Sequence, residues 1–325
     1  MSFALAKTLR GTLLALLMLM RVSGAAAASP GPANYLFIDD GQIDDYAAIL
    51  DHADIAGVQR IYTWRALEPR EGRYDFSAIE HDLASTGRHH KGLFIQIQDR
   101  FFEAKARNLP AYLLEEPRYG GGLARQADYA GEGQPTGSGW VAKQWNPRVR
   151  ARFQALLHAL AMRFDGRVAG INLPESAADL MPREKRDGFT CDAYFNAELD
   201  NMAFAGRAFS RSAVVQYVNF WPCEWNNDHG YMARIFAFAA SHGIGLGGPD
   251  IVPFRKGQMR NSYPFFHRYR GKLKLVAMAV QEPTLTYTNP QTGKRFTQGE
   301  FVEFARDYLG ANIIFWTVSA PWLRD

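Results

Sequence analysis

Along most of this chain, short apolar runs alternate with stretches whose apolar residues recur at helical spacing. Runs at 35–38, 58–64, 93–97, 168–173, 213–218, 244–248, 273–280 and 312–316 read as strands, the sixth of them weak. Helical spacing follows at 44–53, 76–85, 149–164, 193–209, 230–241 and 298–309. Pro147 stands where the third of these helices should begin, a position that needs no backbone N–H. Eight strands with intervening helices over about 290 residues predict an α/β fold of the (β/α)₈ barrel type, in one domain. A doubly wound sheet would need a glycine-rich phosphate loop after an early strand. No G-x-G-x-x-G is present, and the run Gly245 to Gly248 comes far too late. The Gly-, Pro- and charge-rich stretch 98–146 is too long for an ordinary connection. After strand three of a barrel it would lie at the C-terminal face, where active sites are built.

The first 28 residues read differently. Lys7 and Arg10 precede a short apolar run, and small residues ending in Ala-x-Ala follow it. This is the pattern of a secretory signal peptide, with Arg21 an irregularity, and it predicts a secreted or periplasmic barrel spanning 29–325. The apolar run is too short for a permanent membrane helix, so stable membrane insertion after processing is not expected. The whole chain carries 37 Lys+Arg against 33 Asp+Glu. Losing Lys7, Arg10 and Arg21 brings it near neutrality, which removes any case for a nucleic-acid partner.

In a barrel, catalytic groups end strands. The polar residues at the predicted strand ends are Asp39 and Asp40, Trp64 and Arg65, Gln96 and Gln98, Glu175, Asn219, Asp250, Glu282 and Trp316. Glu175 and Glu282 each follow a strongly apolar strand, the fourth and the seventh. Their separation corresponds to about 36 residues per βα unit, against roughly 31 in a typical barrel. Strands four and seven face each other across the mouth. Two carboxyls converging on one cavity suit glycoside hydrolysis, one protonated to assist the leaving oxygen and the other ionised. Each could equally serve as the anion of a structural ion pair.

The segment 61–76 reads I-Y-T-W-R-A-L-E-P-R-E-G-R-Y-D-F. It resembles the W-x-x-L-E-P-x-x-G-x-Y-D-F segment after strand two in the clan of retaining (β/α)₈ glycosidases that includes cellulases, β-galactosidases, β-xylosidases and mannanases. The match is dense over these residues and looser elsewhere. The resemblance implies an acid/base glutamate at Glu175, a nucleophile at Glu282 and an aromatic floor at Trp316, with no metal or organic cofactor. It implies structural roles inside the motif: Glu68 binding within its own loop, Tyr74 and Phe76 packing a helix start. One position departs. The clan has Asn immediately before the acid/base glutamate, and this chain has Pro174.

An oligo- or polysaccharide substrate needs aromatic platforms and planar polar groups. Trp145, Asn172, Trp221, Trp225 and Tyr287 are candidates, with Trp64, Arg65, Gln96, Gln98, Asn219 and Asp250 beside them. Cys191 and Cys223 fall in the loops after strands four and five, neighbours in a barrel, and predict a disulfide. Two rival functions stay open. A glycan-binding barrel could keep the platforms without catalysis. The sequence Phe37-Ile-Asp-Asp-Gly also resembles the metal motif of polysaccharide deacetylases, but the chain has no H-x-x-x-H to complete it.

Overall fold

A computed structural model describes residues 31–127, 139–180 and 188–324. The expected signal peptide lies outside the described residues. Eight parallel strands close into a barrel: β1 (Ala33–Ile38), β2 (Ile55–Thr63), β3 (Gly92–Gln98), β7 (Gly170–Leu173), β8 (Ala213–Tyr217), β9 (Gly245–Gly248), β10 (Val276–Val280) and β11 (Ile313–Thr317). β1 pairs with β11 to complete the ring. The long stretch after β3 holds a small antiparallel sheet of β4 (Arg100–Phe101), β5 (Leu123–Arg125) and β6 (Trp140–Ala142). Every strand read from the apolar pattern is present, with ends displaced by a few residues. The helices at Pro147–Phe164, Cys191–Ala208 and Tyr231–His242 match the periodic stretches. Pro147 opens the first of these, behind an Asn146 side chain that accepts from Arg148 N. The small sheet and the short helices Ala111–Glu115, Lys256–Arg260 and Tyr263–Arg268 lacked a sequence expectation, being too short to show a period.

Side-chain alternation divides the apolar residues into two bodies. Those facing outward from the strands pack under the helices. Those facing inward fill the barrel: Phe37, Phe94, Val215, Tyr217, Ala277, Ala279, Ile313 and Phe315, with Tyr35 beside them. Tyr35, Phe94 and Phe315 meet edge-on at 5.3–5.7 Å. Glycine makes room for these rings. A Cβ on Gly170 would lie 2.2 Å from the Phe94 ring, and one on Gly57 would lie 2.3 Å from Tyr35.

Above this plug the interior turns polar. Gln59, fully buried on β2, donates through Nε2 to the Tyr217 hydroxyl of β8 at 2.7 Å. Asn172 of β7 is fully buried, and neither its amide oxygen nor its nitrogen has a protein partner of good geometry. These groups form a polar layer toward the C-terminal ends of the strands.

The segment after β2 behaves as its motif implies. Glu68 is fully buried and accepts from Trp64 Nε1 at 2.9 Å and from Gly72 N at 2.8 Å, and it pairs with Arg152. Tyr74 and Phe76 stack on each other, and Phe76 packs against Phe164. Trp64 therefore belongs to the core, wholly buried against Phe153, and the expectation that it contacts substrate is corrected. Replacing Glu68 with Ala would strand an N–H of Trp64 and the Arg152 guanidinium. Chemical denaturation should show a loss of about 3–5 kcal/mol. A loss within the scatter of ordinary surface substitutions would refute this role.

Candidate active site

Glu175 lies two residues past the end of β7, partly exposed at the barrel mouth. Its neighbours in the chain are pinned on both sides. The Gln216 amide donates to the Pro174 carbonyl, and Ser176 N donates to Tyr217 O at 2.9 Å. Ser176 Oγ donates to Phe220 O at 2.8 Å and accepts from Asn219 N at 3.1 Å. The Tyr194 hydroxyl donates to Ser176 O at 3.1 Å, and Arg100 Nη1 donates to Ala177 O at 3.0 Å. Proline is tolerated at 174 because its carbonyl, not an N–H, makes the bond to β8.

Burial pushes the Glu175 carboxyl up to about 7. The Arg100 guanidinium opposes that rise, and the Asp250 carboxylate adds to it. Asp250 follows β9, on the far side of β8, and is itself raised by burial. Thr284 Oγ1 donates to Asp250 Oδ1 at 3.0 Å, and the Tyr263 hydroxyl donates to its backbone carbonyl at 2.9 Å. Tyr217, on the strand between, feels the charge of both Asp250 and Glu175. The mouth therefore brings together Glu175, Asp250, Tyr217, Asn172 and Gln59.

Glu282 also lies two residues past its strand, β10. It opens the short helical turn Glu282–Thr286 and is exposed. Gln96, Gln98 and Asn219 are partly exposed, and the Gln96 amide oxygen has no protein donor. Tyr287 lies under Arg255, 4.8 Å from ring to guanidinium. Trp225 is 40% exposed in the loop after β8. Arg65 is exposed and donates to Leu109 O at 2.9 Å, on a connection rather than in the barrel.

Three further expectations are corrected. Trp316 is wholly buried outside the barrel interior, donates to Asn34 Oδ1 at 2.9 Å and packs on Trp322. Along β11 the inward positions are Ile313 and Phe315, so the ring cannot floor a sugar site. Trp145 is buried against Phe189 and Tyr194. Trp221 is 3% exposed, packed on Phe195 and Tyr194, and supplies a wall but no open face. The Cys191–Cys223 disulfide is present, with Cα atoms 6.2 Å apart. Asp39 and Asp40 are exposed, and Asp40 accepts from Gly41 N. No cluster of three or more His, Cys, Asp or Glu placed to hold a metal occurs among the described residues.

Sequence reasoning missed Asp99, Arg100, Tyr194 and Glu198, which underlie the Glu175 loop. Arg100 lies between the Asp99 and Glu198 carboxylates and is 2% exposed. An Asp-Arg pair directly after a buried strand was the available signal, but it looked like the start of a surface loop. Tyr217 and Gln59 were legible as inward positions on their strands, had polar residues within strands been weighed.

Comparison with known proteins bears on the fold. No protein-family model and no curated protein sequence matches the chain. Solved structures do. The catalytic domain of β-amylase from Paenibacillus polymyxa matches 89% of this chain and 93% of its own, at TM-score 0.57 and 9% identity. The GH10 xylanase from Bispora sp. MEY-1, solved with xylobiose, matches 87% and 82%, at TM-score 0.55 and 9% identity. A psychrophilic glycoside hydrolase family 10 endo-β-1,4-xylanase matches 89% and 87%, at TM-score 0.52 and 8% identity. The chain has the (β/α)₈-barrel fold of these enzymes. At such identities the likeness extends to architecture, and the chemistry rests on the residues at the mouth.

The raised Glu175 carboxyl has a consequence for stability. With a folded value near 7 and an ordinary value of 4.5, the native state keeps a proton that the unfolded chain releases as pH rises between them. This group therefore lowers stability progressively across that window, by an amount on the order of 3 kcal/mol. The Glu175→Gln variant should gain stability relative to the unsubstituted protein as pH rises from 4 to 8. A difference that stays flat across that range in denaturant titrations would refute the shift.

Proposed function

We propose that this protein is an exported glycoside hydrolase acting on a β-linked oligo- or polysaccharide, with Glu175 as its proton donor. The observation that carries the reading is the place of Glu175, at a strand end and at the barrel mouth, where burial and Asp250 push its carboxyl up to about 7. Such a carboxylic acid can deliver a proton to a departing sugar oxygen. The buried amide of Asn172 and the Gln96 amide oxygen, which has no protein donor, offer hydrogen bonds that sugar hydroxyls would meet. The disulfide suits an oxidising compartment, and among the described residues no helix is long and apolar enough to cross a membrane.

Glu282 is the nucleophile in this reading. It occupies the same position past β10 that Glu175 occupies past β7, as the resemblance in segment 61–76 implies. Its carboxylate bonds to the anomeric carbon while the glycosidic C–O bond breaks and the Glu175 proton passes to the leaving oxygen. Glu175, now ionised, takes a proton from water, and the resulting hydroxide oxygen displaces Glu282 from the sugar. A second reading has a specific observation behind it. The carboxylate whose charge acts on Glu175 is Asp250, which is held by Thr284, whereas Glu282 is exposed. Asp250 would then be the ionised partner.

Glu175→Gln should lower kcat/KM on unactivated glycosides by about 10²–10⁴ and remove the alkaline limb of its pH profile. Unchanged turnover would sink the reading. Glu282→Gln and Asp250→Asn, assayed alongside, separate the two partners: the nucleophile's variant loses activity on activated substrates as well.

A further inference from the structure

One buried acid takes no part in the chemistry above. Glu198 lies on the helix Cys191–Ala208 and is 2% exposed. Its Oε1 stands 3.5 Å from Arg100 Nη2, farther than an ordinary hydrogen bond. Neither of these two atoms has a hydrogen-bond partner of good geometry. Asp99, by contrast, accepts from Arg100 Nε at 3.1 Å, and its other oxygen accepts from Gln144 Nε2 at 2.8 Å. Asp99 alone therefore balances the guanidinium. A second carboxylate out of water, near the same cation but not bonded to it, costs solvation that a structural ion pair does not require.

Glu175 brings a third carboxyl under the influence of the same cation. Arg100 stays charged at any working pH, so one positive charge serves three acids. The guanidinium also holds the Glu175 loop by direct bonds. Its Nη1 donates to Ala177 O at 3.0 Å and to the Tyr194 hydroxyl at 2.8 Å, and that hydroxyl donates to Ser176 O at 3.1 Å. The titratable groups acting on Glu198 are Arg100, Asp99 and Tyr194, and those acting on Glu175 are Arg100 and Asp250. Burial pushes the Glu198 carboxyl above the usual carboxylate range, with Arg100 opposing the rise and Asp99 adding to it. Two acids raised by the same cause around one shared cation do not titrate independently.

We propose that Glu198 is a positioning residue for the acid, acting through Arg100: its carboxylate offsets the pull of the guanidinium on Glu175 and so keeps the proton on Glu175. Its catalytic meaning rests on the hydrolase reading above, whereas the link between the two acids does not. With Glu198 ionised, the positive charge of Arg100 is already answered twice, and a further anion at Glu175 is unfavourable. With Glu198 protonated, more of that charge is free to stabilise the Glu175 carboxylate. Removing the Glu198 charge therefore moves the Glu175 titration to lower pH.

Carboxyl ¹³C NMR of the full-length protein, labelled at glutamate, reads both acids directly, and the Glu175→Gln and Glu198→Gln variants assign their resonances. In the unsubstituted protein each of the two resonances should titrate in two steps, because each feels the other's proton. Single-step curves for both would overturn the proposal whatever the variants do. In Glu198→Gln the Glu175 midpoint should fall by about one pH unit. Asp200→Asn, which removes an exposed acid from the same helix, should leave it in place. A merely structural role for Glu198 would leave the Glu175 midpoint unmoved in Glu198→Gln, and that result also overturns the proposal. Where the hydrolase reading holds, the alkaline limb of kcat/KM in Glu198→Gln moves to lower pH by the same step. A midpoint that moves in a protein inactive on every β-glycoside supports the link between the acids and overturns the hydrolase reading alone.

Discussion

The guanidinium of Arg100 lies out of water between the carboxylates of Asp99 and Glu198, and the loop that carries Glu175 hangs on it. One of its nitrogens meets Ala177 O and the Tyr194 hydroxyl, which in turn reaches Ser176 O. Gln144 braces Asp99 at 2.8 Å, and Asn201 braces Gln144 at 3.2 Å. Burying this many charged groups costs solvation that their mutual attraction only partly offsets. What the network supplies is position. It links β4, the loop after β7 and the helix Cys191–Ala208 at fixed distances, so the acid is placed by three elements rather than by a free loop.

The same network sets the acid's chemistry. A positive charge under Glu175 favours its ionised form, while burial and Asp250 favour the protonated one, and the latter prevail. The balance leaves the carboxyl near neutrality, where it can both give and take a proton. Deeper in the barrel, the aromatic rings of Tyr35, Phe94 and Phe315 fill the interior. The Gln59–Tyr217 bond, the Asn172 amide and the Gln96 amide oxygen then form a polar layer above them. Where water is thinned out, each of these hydrogen bonds and charges acts more strongly.

Around this centre the apolar rings separate by task. Trp64, Trp145, Trp221 and Trp316 are structural, each closed in by other rings or by a buried partner. Trp225 and Phe102 are open, and both border the cavity beside the Glu175 loop. A disulfide at the edge of that cavity, in loops whose backbones adopt unfavourable conformations, shows where the chain spends rigidity.

By itself the sequence determined the barrel, because strand and helix periods are local and survive without knowledge of partners. It also determined the disulfide pairing and the place of Glu175 at a strand end, which follow from element order, while the structural roles around Glu68 followed from the resemblance of segment 61–76. Which tryptophans are core and which are open was decided only by the tertiary structure. Orientation at a strand's end depends on the twist and closure of the whole ring, and a one-residue change of facing sends Trp316 into the outer core. Distances across the mouth were equally invisible in the chain. Asp250 and Arg100 are both brought to act on Glu175 by packing between segments scores of residues apart. No local pattern records such juxtapositions, because the energies that create them arise only when the barrel closes.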